Sequence, residues 1–125
     1  MGSNMREIKF RGKRIDNGEW VYGTFYSDFS TNPLATHYIV DEFGTHFEID
    51  RTTVSQYTGL RDKNGKGIYE FYLIKQQDYK EPLEIYFCDD CAGFRARLKG
   101  YGNTELIKDD CEIIGNIYEN PELLK

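Results

Sequence analysis

The chain has 125 residues and a mass of 14.7 kDa, with 39% hydrophobic and 30% charged residues. This size and composition are typical of one soluble folded domain and exclude a disordered or membrane-embedded chain. The net charge of −5 is uneven, because residues 1–14 carry +4 and the remaining 111 residues carry −9. The acidic body argues against broad nucleic-acid binding, since contacts to phosphates supply most of that affinity.

Targeting signals are absent from the sequence. No apolar run approaches the ~20 residues of a membrane helix, and no signal peptide precedes Met5. We therefore expect a cytoplasmic protein without a membrane partner. Residues 1–4 are interpreted as the remnant of an expression tag, with Met5 as the natural start.

Short alternating segments separated by turn residues dominate the chain. They predict strands over residues 7–15, 19–26, 37–43, 45–49, 56–60, 68–75, 83–88, 94–98 and 111–118. The strongest turn signal is Asn64-Gly65, because both residues tolerate positive φ at little steric cost. Helical turns are predicted only where Asp50 can cap one and where Pro121 can begin one.

This succession of elements predicts a mostly β fold of small antiparallel sheets or a partly open barrel, with one or two short helical turns. We expect one domain over residues 5–125. An alternative subdivision separates N-terminal hairpins over 5–55 from a β-barrel-like part over 56–125, which we expect to be SH3-like over 56–118. In the first strand, Ile8 and Phe10 are predicted to face inward and Lys9 and Arg11 outward.

Four sequence blocks carry a family resemblance. They are Met5-Arg-Glu-Ile-Lys-Phe-Arg-Gly-Lys13 with Gly18-Glu-Trp-Val-Tyr-Gly23, then Gln56-Tyr-Thr-Gly-Leu60, then Asp62-Lys-Asn-Gly-Lys66 with Ile68-Tyr-Glu70, and finally Ile114-Gly-Asn-Ile-Tyr-Glu-Asn-Pro-Glu-Leu123. In order and spacing these blocks resemble the YopX family of small proteins encoded in phages and prophages. The resemblance implies a phage or prophage origin, a mostly β fold and self-assembly, so the cytoplasm expected above would be that of a bacterial host. It implies no activity.

The chain departs from the family pattern at one point. Family members typically follow Ile-Tyr-Glu with Gly-Asp, where this chain has Phe71 and Tyr72. Glycine there would permit a bend, and aspartate would supply a hydrogen-bonding anion. Two aromatic residues do neither. We therefore predict a straighter strand whose aromatic side chains are buried in the core or in a subunit contact.

Aromatic residues make up 15% of the chain, with ten tyrosines. Tyrosine has one apolar and one polar end, which suits interfaces as well as thin cores. We predict that Trp20, Tyr22, Phe71 and Tyr72 contribute to a subunit or partner interface. The alternative is a core padded with tyrosine, and the sequence does not decide between the two.

Basic residues cluster in the first strand beside Trp20 and Tyr22. The cluster consists of Arg6, Lys9, Arg11, Lys13 and Arg14. Cations beside aromatic rings resemble the surfaces that bind single-stranded nucleic acids by stacking and phosphate contacts. The alternative is a charged edge strand, in which basic side chains discourage pairing between molecules.

The spacing of Cys88 and Cys91 is that of a C-x2-C metal ligand pair, to which Cys111 and either His37 or His46 could add further ligands. The chain has one such pair, whereas a strong zinc signal has two, so we favour small buried cysteines in a hairpin. A redox dithiol is less expected still, because thioredoxin-like pairs lie at a helix N-terminus and this pair lies between strands. The two histidines could also pair with each other across a hairpin.

Sequence motifs for hydrolysis, phosphate binding and zinc proteolysis are absent, namely G-x-S-x-G, G-x4-G-K-[ST] and H-E-x-x-H. We therefore expect no enzyme and no cofactor. The favoured interpretation is a phage-type accessory protein that binds a phage or host protein and forms homo-oligomers. The alternatives are a nucleic-acid accessory protein using the basic strand, and a module stabilised by zinc through Cys88 and Cys91.

Overall fold

A computed structural model describes residues 7–30, 34–98 and 105–124. Arg6 and residues 1–4 lie outside the described residues. Within them the chain forms ten β-strands and two 3-10 turns, which confirms the mostly β prediction. Contacts divide the chain into a first unit, Met1–Tyr57, and a second unit, Thr58–Lys125. In the described part of the chain no helix is long and apolar enough to cross a membrane.

The first unit contains an antiparallel sheet. Its strands are β1 (Phe10–Lys13), β2 (Trp20–Asp28), β3 (Thr36–Val40), β4 (His46–Glu48) and the first residues of β5 (Ser55–Arg61), in the order β4-β3-β2-β1-β5. Strand β1 pairs on one side with β2, where Phe10 faces Gly23, and on the other with β5, where Phe10 faces Gln56. The interpretation of the basic segment as an edge strand is therefore wrong, since both sides of β1 are paired.

The core of the first unit lies on one side of this sheet. Ile39 and Ile49 are fully buried there, and the rings of Phe10 and Phe25 meet with centroids 5.9 Å apart. Ile8, which precedes β1, is 66% exposed, so its predicted inward orientation is wrong. The predicted capped turn is confirmed, because Asp50 accepts a hydrogen bond from the N–H of Thr52 at the start of a 3-10 turn.

The second unit contains the end of β5 and five further strands. These are β6 (Gly67–Tyr69), β7 (Tyr72–Lys75), β8 (Leu83–Cys88), β9 (Gly93–Arg97) and β10 (Glu112–Asn116). Four of them form an antiparallel sheet in the order β10-β7-β8-β9, with Leu73, Ile74, Leu83 and Ile85 fully buried. The predicted small antiparallel sheets are thus confirmed, and the SH3-like arrangement stays a prediction. Pro121 begins the predicted terminal turn.

The turn between β5 and β6 is built around one buried carboxylate. Oδ1 of Asp62 accepts hydrogen bonds from the N–H groups of Asn64 and Lys66 at 2.9 and 3.0 Å. Gly65 follows with a φ of 82°, the left-handed conformation for which asparagine-glycine turns are selected. The turn predicted at Asn64-Gly65 is therefore confirmed.

The segment after β6 corrects one prediction. The expected continuous strand over 68–75 breaks at Glu70 and Phe71, and Phe71 has a φ of 69°, which is rare for a bulky residue. Backbone hydrogen bonds hold the bend, because Phe71 donates to the carbonyl of Ile85 at 2.8 Å and accepts from the N–H of Ile117 at 3.0 Å. The straighter strand is wrong. Phenylalanine adopts the bend that glycine would make easily.

The burial part of that prediction is confirmed for Tyr72. Tyr72 is 9% exposed and its ring lies 5.7 Å from that of Tyr69. The Phe71 ring is half-buried and meets Tyr118 edge-on at 6.0 Å. Both side chains therefore pack within the second unit.

Candidate functional site

The outer side of the first unit's sheet carries a row of aromatic side chains. Residues directly opposite each other in an antiparallel pair project on the same side, and the register pairs Lys13 with Trp20, Arg11 with Tyr22, and Tyr26 with Tyr38. We call this surface the aromatic face and define it as Trp20, Tyr22, Tyr26, Tyr38 and His46. The sequence predicted two of its members, Trp20 and Tyr22, as interface residues.

Arg11 lies within this face rather than outside it. Its guanidinium carbon is 3.5 Å from the centroid of the Trp20 ring, and its Nη1 is 3.4 Å from the hydroxyl of Tyr22. Only 3% of Arg11 is exposed. Arg11 therefore lies on the predicted outer side of the sheet but is buried there, because a flat guanidinium stacks on an aromatic ring while its alkyl stem is buried.

The other described basic residues of the first predicted strand also contact neighbouring side chains. Lys9 lies 5.3 Å from the ring centroid of Tyr57, and Lys13 lies 5.4 Å from that of Trp20. Arg14 forms two hydrogen bonds with Asp16, at 2.9 and 2.6 Å, which raise the pKa of Arg14. A phosphate would compete with these contacts at Arg14 and could not reach Arg11.

Two tyrosines of the face remain open to solvent. Tyr22 is 43% exposed and Tyr26 is 36% exposed. Tyr26 stacks on Tyr38 with centroids 5.1 Å apart, and its hydroxyl hydrogen-bonds Nδ1 of His46 at 2.7 Å. The ring positions are thus fixed while part of their apolar surface faces water.

Sequence reasoning missed Tyr38 and His46, which lie on strands β3 and β4. Their place in the face depends on the register between strands, which no local pattern encodes. The suggested pairing of His37 with His46 is not found. His37 instead hydrogen-bonds Oγ of Ser27 at 2.8 Å and stacks on Phe25. Tyr26 follows from the alternation along β2, which predicts it on the same side as Trp20 and Tyr22, and the register confirms this.

The remaining predicted residues lie in the second unit. Phe71 and Tyr72 pack within it, so little of Tyr72 is available to a partner. Cys88 and Cys91 meet at the end of the β8–β9 hairpin, where the N–H of Cys91 lies 3.2 Å from Sγ of Cys88. Cys111 is fully buried, and burial raises its pKa to about 11. Among the described residues no group of three or more histidine, cysteine or acidic side chains could hold a metal ion.

Comparison with known proteins places the chain in a family. No curated protein sequence matches it. The crystal structure of protein EF1440 from Enterococcus faecalis is similar, with a TM-score of 0.59 and 25% sequence identity over 97% of this chain and 100% of that chain. A sequence model of the family described as YopX protein matches residues 9–125, which confirms the resemblance inferred from the sequence blocks. The chain belongs to the YopX family.

Proposed function

We propose that the protein is a non-enzymatic accessory module of phage or prophage origin, which acts in the host cytoplasm by binding protein and associates with itself through the aromatic face. The observation that supports this most is the exposure of Tyr22 and Tyr26 beside Trp20 on one ordered surface. Tyrosine and tryptophan are enriched where protein interfaces hold most of their binding energy.

The side chains of the aromatic face are held in fixed positions, which favours a binding surface. Arg11 supports the Trp20 ring from beneath, and Tyr38 supports Tyr26. Side chains that are already fixed lose little rotamer entropy when a partner covers them. A surface of this kind can therefore bind with a modest contact area.

Self-association is the form of binding that the family resemblance implies, and a face of one sheet can meet its own copy across a two-fold axis. Sedimentation velocity of the wild type and of Tyr22→Ser/Tyr26→Ser tests the proposal. We expect the wild type to sediment as an oligomer and the double variant to sediment as a monomer.

Phe43→Ser is the matched control, because Phe43 is an aromatic residue of the same unit that is 83% exposed but lies in the β3–β4 turn. It should sediment as the wild type does. A folded double variant with the wild-type mass would refute the role of the aromatic face. A monomeric wild type would refute self-association.

Single-stranded nucleic acid is the second candidate ligand. It is favoured by Lys13, which lies on the same side of the sheet as Trp20 and Tyr22 and so places a cation beside stacking rings. Titration of labelled oligonucleotides at low and moderate salt tests it. If nucleic acid is a ligand, the wild type should bind in a salt-sensitive way and Lys9→Glu/Lys13→Glu should abolish that binding. A wild type that does not bind, or a double variant that binds as the wild type does, would refute this second candidate.

A further inference from the structure

The end of the β8–β9 hairpin brings two thiols together. Cys88 is the last residue of β8 and is paired with Gly93, the first residue of β9. The turn between them is closed by a hydrogen bond from the N–H of Ala92 to the carbonyl of Asp89 at 3.2 Å. Ala92 has a φ of 53°, and this tight turn returns Cys91 to the side chain of Cys88.

The turn also activates one of the thiols. A hydrogen bond from the Cys91 thiol lowers the pKa of Cys88 most, ahead of the opposing effect of burial. The backbone N–H of Cys91 and the hydroxyl of Tyr86 lower it further. In thioredoxin-like proteins a helix N-terminus stabilises the thiolate. Here a hairpin turn supplies the N–H, so the absence of a helix does not argue against thiol chemistry.

The two thiols differ in access. Cys91 is exposed and can be approached by a molecule from solution, whereas Cys88 is 7% exposed and is reached through Cys91. We propose that Cys88 and Cys91 form a dithiol site that exchanges with low-molecular-weight disulfides and closes into an intramolecular disulfide. This site lies in the second unit and does not depend on the proposed function of the aromatic face.

The exchange proceeds in two balanced steps. Cys91 passes its thiol proton to the Cys88 thiolate and attacks one sulfur of the small disulfide, which forms a mixed disulfide and releases the first small thiolate. That thiolate takes the proton back from Cys88. The Cys88 thiolate then attacks Sγ of Cys91, which forms the Cys88–Cys91 bond and releases the second. The protein loses two electrons, the small disulfide gains them, and the two protons leave with the released thiols.

Full-length reduced protein incubated with glutathione disulfide tests the proposal. Samples are quenched in acid and unfolded in denaturant, the remaining thiols are alkylated, and the intact mass is measured over time. We expect the wild type to lose two hydrogens, to retain no glutathione and to keep one alkylatable thiol, that of Cys111. Peptide mapping should place the new bond between Cys88 and Cys91.

Variants separate the two steps. Cys91→Ser should react at least ~10-fold more slowly than the wild type, because Cys88, the remaining thiol of the pair, is buried. Cys88→Ala should stop with one glutathione on Cys91. The matched control, Cys111→Ala, should close its disulfide as the wild type does.

Three outcomes would overturn the proposal. They are a wild type that accumulates a stable glutathione adduct, a mapped bond that involves Cys111, and a Cys91→Ser variant that reacts as fast as the wild type. The mapping of the wild type needs no variant, so the proposal remains testable if a cysteine substitution prevents folding.

Discussion

Oδ2 of Asp62 accepts a hydrogen bond from the backbone N–H of Ile113 at 3.0 Å, so that a turn residue of the second unit is joined to its last strand. Oδ1 of the same side chain closes the turn between β5 and β6, and Asp62 is only 5% exposed. Lys63 adds a second connection, since its N–H donates to the carbonyl of Cys111 at 2.9 Å. The turn between β5 and β6 is therefore held in place by hydrogen bonds to the segment that contains Cys111 and Ile113.

The substitution Asp62→Asn should lower the free energy of unfolding by about 2 kcal/mol. Asparagine retains one oxygen for the turn, but its amide group then faces the N–H of Ile113, and two donors oppose each other. Urea denaturation gives the measurement. Asp41→Asn is the matched control, because Asp41 receives its bonds from Phe43 and Thr45 on Oδ1, which asparagine can replace. Equal losses in both variants would contradict the role of the Ile113 bond.

The same carboxylate should make stability depend on pH. Burial raises the pKa of Asp62, but the three backbone N–H donors and the charge of Lys66 outweigh it, and the pKa of Asp62 lies below its ordinary value. Because the folded pKa is the lower one, the contribution is fully present above the unfolded value of about 3.9 and is lost as pH falls through the folded pKa. The stability difference between wild type and Asp62→Asn should therefore shrink below about pH 4. A constant difference down to about pH 2 would contradict the lowered pKa.

Gly23 should tolerate no side chain. An added Cβ would lie 1.9 Å from the carbonyl oxygen of Val40, and the φ of Gly23 is 154°. Gly23→Ala must move backbone in the middle of the first unit's sheet, so we expect a loss of more than about 2 kcal/mol. Gly44→Ala, at a φ of 81° with nothing near the added Cβ, should cost about 1 kcal/mol. Thermal unfolding followed by circular dichroism compares them, and a Gly23→Ala variant as stable as Gly44→Ala would contradict the close approach.

The bend at Phe71 predicts an inverted order of two substitutions. Phe71→Ala removes the ring contact with Tyr118 and keeps the unfavourable positive φ, whereas Phe71→Gly removes the contact and relieves the backbone. The glycine variant should therefore be more stable than the alanine variant by about 1 kcal/mol. Chemical denaturation of both variants measures the difference. At an ordinary strand position alanine would be the more stable, and that result would contradict the bend.

The stacking of Arg11 on Trp20 predicts that lysine is a poor substitute. The ammonium of lysine cannot cover the ring as a planar guanidinium does, so Arg11→Lys should lower the free energy of unfolding by about 1–2 kcal/mol. The reciprocal control Lys13→Arg, at a less buried position on the same ring, should change it by less than about 0.5 kcal/mol. Near-ultraviolet circular dichroism of Trp20 should change only in Arg11→Lys. An Arg11→Lys variant with the same free energy of unfolding as the wild type would show that the stack does not contribute to stability.

Local signals in the sequence were sufficient for much of the fold. The turn at Asn64-Gly65, the cap at Asp50 and the proline at Pro121 each act within a few residues, and the structure has all three where they were predicted. The alternation of Trp20 and Tyr22 likewise places both on one side of β2. These features depend on the local conformational preferences of each residue type.

The errors arose where distant parts of the chain decide the outcome. Arg11 is buried because Trp20, on the neighbouring strand, covers its guanidinium. Phe71 bends because backbone groups of Ile85 and Ile117 hold it on both sides. The contact between Asp62 and Ile113 spans 51 residues. No propensity or periodicity encodes such pairings, so the sequence could indicate the strands but not these neighbours.

The fluorescence of Trp20, the only tryptophan in the chain, reports whether the aromatic face is the contact between copies of the protein. The measurement is its emission maximum over a dilution series of the wild-type protein, with the mass in solution followed by light scattering. If the face is the contact between copies, the emission should shift to longer wavelength as the oligomer dissociates, and Tyr22→Ser/Tyr26→Ser should start at the shifted position. An oligomer that dissociates without any change in Trp20 emission would contradict self-association through the aromatic face.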